Sequence, residues 1–311
     1  MNVLRIGLVV LALASLSPVA ASKSLQMANE SYNTGKFYEA ITYFRKAVAE
    51  GESPALCYYN TANAYFQLDS LAEAVVFYRA CVQNAPDFLK ANLNLAVCYY
   101  QLNDLGRCLA CIKRTLELDP THQKALLIQA ATLRRVGAFA KAVVAFENII
   151  RLYPQIEEAY VALGEMYREL GDADEAIKWL ESFPPNGKNA VYVYTLLADL
   201  YEKTNDIPRA ISYLSMAFDL DKTKEWTVYR IALLQQQSGN QLVALETCRD
   251  GLRRFPNFAD IAVLAGTIAF ERQRIDDAEQ FFTQGSKNGS PAAVVGLTNV
   301  RNWRKAHVEE K

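Results

Sequence analysis

From residue 24 to residue 290 the apolar and polar positions of the chain repeat at a constant interval of 34, with no insertion or deletion. Taking Ala40 as a marker, the same place is held by Ala74, Cys108, Ala142, Ala176, Ala210, Ala244 and Ala278. Twelve residues before each stands Ala28, Ala62, Ala96, Ala130, Gly164, Ala198, Ala232 or Gly266. Within residues 55–88, Tyr58, Thr61, Ala62 and Tyr65 fall at i, i+3, i+4 and i+7, the spacing that lines one face of a helix. Leu68-Asp69-Ser70 breaks that pattern, Leu71, Ala74, Tyr78 and Cys81 resume it, and Pro86, which lacks an N–H, closes it. Each interval therefore predicts a helical hairpin, with the paired small residues at the closest crossing of its two helices, where a large side chain would hold the axes apart. Self-similarity at such a period is the mark of a solenoid, in which each hairpin buries its apolar face only by stacking on its neighbours.

The slots resemble those of the tetratricopeptide repeat family. Tyr58, Ala62, Tyr65, Ala74 and Tyr78 carry the resemblance in the second unit, Ala130, Gly137, Ala142, Phe146 and Pro154 in the fourth, and Tyr160, Gly164, Tyr167, Gly171 and Ala176 in the fifth. The resemblance implies an all-α, right-handed α-solenoid of eight helix-turn-helix repeats, near residues 22–54, 55–88, 89–122, 123–156, 157–190, 191–224, 225–258 and 259–290. The closing proline is present at Pro86, Pro120, Pro154 and Pro256 and replaced by Glu52, Lys188, Lys222 and Ser290. In the fifth unit Pro184-Pro185 pushes the preceding residues toward extended conformations and Asn186-Gly187 reads as a turn. A second helix ending near Ser182 is expected there, with loop replacing the lost turn.

Two segments lie outside the repeats. Residues 1–21 read as a secretory signal peptide: Arg5 is followed by an apolar run from Ile6 to Leu16, and Val19-Ala20-Ala21 supplies small residues for cleavage after Ala21. An uncleaved N-terminal anchor is the alternative, although the run is short for a membrane span. Pro291 to Ala306 is expected to form a helix capping the last hairpin, with Trp303 in its packing, and residues 307–311 form a tail. An exported protein of a bacterial periplasm or cell envelope is the resulting expectation.

Composition narrows the function. A net charge of −1, with no run of Lys or Arg after the signal segment, gives no field to attract nucleic acid. The six cysteines are expected to be mostly free thiols, because Cys81, Cys108 and Cys248 fill slots that hold Ala or an aromatic in other units, although a disulfide among Cys57, Cys81 and Cys98 remains open. Cys108 and Cys111 lie inside a helix, and His122 and His307 lack metal-ligand spacing to them. No phosphate-binding glycine loop or nucleophile elbow occurs, and the acidic clusters Glu157-Glu158 and Asp172 to Glu175 fall at helix starts, where they offset the dipole. No enzyme activity, cofactor or small-molecule substrate is expected.

The family resemblance places partner contacts on the first helices, along a concave groove. The corresponding slots hold Asn29, Tyr32, Tyr59, Asn63, Phe66 and Tyr100 in an aromatic and amide strip, then Lys90, Lys124, Arg134 and Arg135, then Glu158, Glu165, Glu169, Asp199 and Glu202, and finally Trp226 and Tyr229. Amides that bond a peptide backbone, beside rings that cover its side chains, suit an extended protein segment. Asn29, Asn60 and Lys90 match part of the carboxylate clamp of some relatives, but Leu25 and Asn94 stand where it needs positive charge. A protein or peptide partner is expected, with membrane association only through partners or an uncleaved N-terminal segment. The chain itself is expected as a monomer or end-to-end dimer.

Overall fold

The structure, a computed structural model, describes residues 21–184 and 187–308. The signal segment, apart from Ala21, lies outside the described residues, as do Pro185, Asn186 and the last three residues. Among the described residues the fold is wholly helical and follows the 34-residue interval. Four hairpins come first: α1 (Lys23–Asn33) with α2 (Phe37–Ala49), α3 (Pro54–Gln67) with α4 (Leu71–Asn84), α5 (Leu89–Gln101) with α6 (Leu105–Leu118), and α7 (Gln123–Arg135) with α8 (Phe139–Leu152). Four more follow: α9 (Glu157–Leu170) with α10 (Ala173–Glu181), α11 (Ala190–Lys203) with α12 (Ile207–Leu220), α13 (Glu225–Gln237) with α14 (Gln241–Arg254), and α15 (Ala259–Glu271) with α16 (Ile275–Lys287). A lone helix, α17 (Pro291–Val308), runs two residues past the expected cap and packs on α15 and α16. The chain divides into two compact units, one up to Ala159 and one from Tyr160. In each, a second helix packs both on its own hairpin partner and on the first helix of the next hairpin.

The small slots are buried throughout, and the two glycines show what fills the space beside them. A Cβ on Gly164 would overlap Leu180, and one on Gly266 would come within 2.6 Å of the Phe282 ring. Leu180 and Phe282 each lie sixteen residues after their glycine, in a slot also held by Phe44, Tyr78, Ile112, Phe146, Leu214 and Cys248, all buried. The small residue of the first helix is thus the hole, and this side chain of the second helix is the knob. Phe282 is gripped from both sides, because a Cβ on Gly296 of α17 would also meet its ring.

Every hairpin turns through one residue with left-handed backbone: Gly35, Asp69, Asn103, Gly137, Gly171, Asn205, Gly239 and Gln273, again 34 apart. Most second helices leave in one of two ways. Before Pro86, Pro120, Pro154 and Pro256 the chain exits through extended residues such as Ala85 (φ −142°) and Asp119 (φ −141°), the backbone that a following proline favours, and Asp221 (φ −133°) before Lys222 exits the same way. Where Glu52 and Ser290 replace the proline, Gly51 and Gly289 take positive φ instead.

In the second unit α10 has nine residues, ending at Glu181 with Ser182 as its cap, as Pro184 dictates. The carboxylate of Glu181 accepts hydrogen bonds from the hydroxyls of Tyr201 (2.6 Å) and Tyr213 (2.9 Å), whose rings stack at 5.6 Å. Arg209 donates to the Tyr201 hydroxyl at 3.0 Å and lies over its ring. This polar brace ties the shortened helix to the following hairpin.

Opposite effects are expected for two glycine substitutions. Gly266→Ala drives a methyl into Phe282 and should lower the unfolding free energy by about 1–3 kcal/mol. Gly106→Ala in α6, where a Cβ meets nothing within 4 Å, should leave it unchanged or raise it by up to about 1 kcal/mol. Urea denaturation of both variants, with unchanged m values, checks the pair.

Candidate functional site

In the first unit α3, α5 and α7 stand side by side, and side chains from one reach the next. The Tyr78 hydroxyl donates to Asn63 Oδ1 at 2.5 Å. Asn94 Nδ2 in α5 donates to the same oxygen at 3.3 Å and to the hydroxyls of Tyr78 (3.3 Å) and Tyr59 (3.4 Å). The Tyr59 ring packs against Phe88 at 4.8 Å and Tyr78 at 6.0 Å. Burial pushes the Tyr78 hydroxyl well above its ordinary value and raises that of Tyr59, so both stay neutral donors at physiological pH.

This network corrects the expected exposed strip. Tyr59 is 2% exposed and Asn63 0%, so both are core residues joining α3 to α4 and α5 rather than groove contacts. Tyr32 is also buried and meets Phe37 edge-on. Burial pushes its hydroxyl up to about 12, and Gln67 tempers the shift without reaching hydrogen-bonding geometry. Asn29 is half-buried, with its Oδ1 enclosed and unbonded. Phe66, Tyr100 and Lys124 are half-buried and Lys90 is exposed. Arg135 is exposed, donating to the Tyr100 carbonyl at 3.0 Å with its guanidinium over the Tyr100 ring, while Arg134 is half-buried beside it.

In the second unit Trp226 is 56% exposed at the start of α13. Its ring meets Phe258 at 4.9 Å and half-buried Tyr229 at 5.5 Å, both edge-on, making an aromatic corner that presents the indole to solvent. The expected acidic stretch is partly neutralised here, because Arg230 donates to Asp199 (2.7 Å) and Glu202 (2.8 Å) across an open depression of about 400 Å³. Arg230 stands where the neighbouring repeats have the buried Leu196 and Leu264, a departure legible in register but missed by a reading of charge alone. The Glu181 brace was likewise missed, since its partners come from a later hairpin.

These surfaces offer hydrogen bonds, charge and aromatic area. Among the described residues no group of His, Cys, Asp and Glu is arranged to hold a metal ion, and no helix is long and apolar enough to cross a membrane. The six cysteines are free thiols, leaving the open question of a disulfide answered in that sense. Burial pushes Cys57 and Cys111 up to about 11 and Cys81, Cys98 and Cys248 to about 12.

Two sequence profiles, both described as tetratricopeptide repeat, match the chain, one over residues 66–131 and 133–200 and the other over 25–88 and 229–291. No curated protein matches it. Among solved structures, a tetratricopeptide repeat protein from Parabacteroides merdae is 16% identical, with 89% of this chain and 97% of that one covered and a TM-score of 0.53. MamA is 20% identical over 55% of this chain and 93% of its own, with a TM-score of 0.51. YrrB, described as a TPR protein with an unusual peptide-binding site, is 16% identical over 60% and 96%, with a TM-score of 0.50. At these identities the likeness is one of fold.

The buried thiols and Tyr32 set an alkaline limit on stability. Their folded pKa values lie above the unfolded ones, about 8.5 for a thiol and about 10 for tyrosine, so ionisation favours the unfolded chain. Their contribution is complete below pH ~8.5 and is lost as pH rises toward about 12. Urea midpoints should be level from pH ~7 to ~8 and fall steadily above ~9, a trend that a midpoint unchanged at pH ~11 would refute.

Proposed function

We propose, since the chain belongs to the tetratricopeptide repeat family, that it is a non-enzymatic interaction protein whose first helices hold a peptide segment or partner protein, as part of assembling a complex in a bacterial periplasm or cell envelope. The observation that carries the reading is Trp226. A large ring over half exposed, on a corner of two further aromatics, is the kind of surface that contributes most at protein interfaces. Phe66, Tyr100, Arg135 and the exposed Lys90 supply comparable material on α3, α5 and α7. The peptide-binding site named for YrrB is in keeping with this use of the fold. Export rests on the signal-like residues 1–21.

A second reading has its own observation. Val294 and Val295 of α17 are 52% and 60% exposed, and an apolar surface on the last helix suits a structural subunit that contacts its neighbours through that end.

Co-purification from the native envelope separates the two. Phe66→Ala with Trp226→Ala should weaken partner capture by about tenfold or more, the scale of losing an interface aromatic, and leave the melting temperature nearly unchanged. Capture that survives this pair but is lost in Val294→Asp with Val295→Asp would move the binding face to α17. Tyr59 is unsuitable for the test, because its removal opens the core.

A further inference from the structure

One first-helix slot, recurring every 34 residues, changes character along the chain. It holds Lys90 and Lys124 on α5 and α7, Glu158 on α9, and then Tyr192, Trp226 and Asp260 on α11, α13 and α15. Two neighbouring first helices of the second unit thus present an exposed ring at the same place, Tyr192 being 46% exposed. Around Trp226 the rings of Phe258 and Tyr229 stand at 71° and 83° to the indole, so neither lies flat against it.

Negative charge stands beside this corner with no cation of the fold to meet it. Glu225 precedes Trp226 in the first turn of α13, and exposed Asp260 follows Phe258 by two residues in the first turn of α15. Burial and then the charge of Asp260 raise the pKa of the Tyr229 hydroxyl, so that carboxylate lies near the same ring that braces the indole. Both acids favour the dipole of their own helix, a role that requires their charge and leaves their oxygens free to bond outward. Neither accepts a hydrogen bond or forms an ion pair among the described residues. The cations that come closest in sequence are engaged elsewhere: Lys222 with Asp219 (3.9 Å), Lys224 with Asp221 (3.6 Å), and Arg230 with Asp199 and Glu202.

We propose that this corner takes an arginine or lysine side chain from the partner's segment, with the cation laid on the exposed indole of Trp226 and its charge met by Asp260 and Glu225. Indole is the aromatic ring that attracts a cation most strongly, and a planar guanidinium can stack on it while its N–H groups reach carboxylates at the rim. Tyr192, whose hydroxyl donates to Glu165 at 2.6 Å, gives the adjoining stretch of the segment a second ring beside a carboxylate. On α5 and α7 the same slot holds Lys90 and Lys124, which repel such a residue. The proposal rests on the reading that the first helices are the binding face, and it names what the second unit's part of that face takes.

The test measures fluorescence anisotropy of a labelled peptide of alternating Arg and Ser against the whole protein, with counterparts of equal length in which Arg is replaced by citrulline, its neutral isostere, or by Glu. The Arg peptide should bind at least about tenfold more tightly than the citrulline peptide at ~0.05 M salt and lose part of that advantage by ~0.5 M. Trp226→Leu should bring the Arg peptide close to the citrulline level, with Trp226→Phe in between, the order expected of a cation held by a ring. Asp260→Asn with Glu225→Gln should remove the salt-sensitive part of the preference. Should Trp226→Leu lower the melting temperature, the Asp260→Asn and Glu225→Gln pair carries the test, Asp260 being exposed. Equal binding of Arg and citrulline peptides, or an Arg preference unchanged in both sets of variants, overturns the cation assignment and leaves the binding face intact. Tighter binding of the Glu peptide overturns it as well. Failure to bind any peptide, with partner capture retained through α17, overturns both readings.

Discussion

The fit of one side chain from each second helix over a small residue of the first is the contact on which the array depends. Where the small residue is glycine the clearance is visible directly: Leu180 lies over Gly164, and Phe282 over Gly266, with no room for a methyl group. The same pair of slots, sixteen residues apart, recurs in every hairpin and is buried in every one. Because hairpins contact only their neighbours, no distant part of the chain can make good a poor fit, and each hairpin must carry its own hole and knob. A fixed interval of 34 is the covalent expression of that requirement, since an added residue between the slots would rotate the knob off the hole by about 100°.

With the crossing settled, the remaining first-helix positions divide between packing and surface. In the first unit the polar groups nearest the knob turn inward: Asn63 and Tyr59 are consumed by a network with Tyr78 and Asn94, so amide chemistry there serves cohesion. Charge lies at the helix ends, with Lys90 and Lys124 at the starts of α5 and α7 and Arg135 at the end of α7. The second unit handles charge differently, pairing part of its surface acidity with Arg230 and exposing an indole. The two sets of first helices therefore present unlike chemistry on the same backbone plan.

Much of this was legible in the residues. The helical hairpins, the small slots and the short α10 follow from local rules about proline, glycine and helical periodicity that act over a few residues. What was not legible depends on third-party contacts. Periodicity places Tyr59, Phe66 and Tyr100 on a first-helix face but does not say that Tyr59 lies against Phe88, a residue preceding the next helix, while Phe66 stays at the rim. Glu181 reads as a solvated helix end until α11 and α12 bring two hydroxyls to it. Arg230 is the intermediate case, conspicuous once aligned with Leu196 and Leu264, yet its partners appear only in three dimensions.

The lone helix α17 continues the register as a ninth first helix: the place of Ala28, Ala62 and Gly266 falls on Val300, which is fully buried. Valine is not a hole. The side chain that a following hairpin partner would need to seat is displaced by the isopropyl group itself, which already fills the space against the neighbouring core. Helix α17 is therefore a plug cut to the shape of a repeat, and enlarging the array by a further hairpin would first require that one residue to shrink.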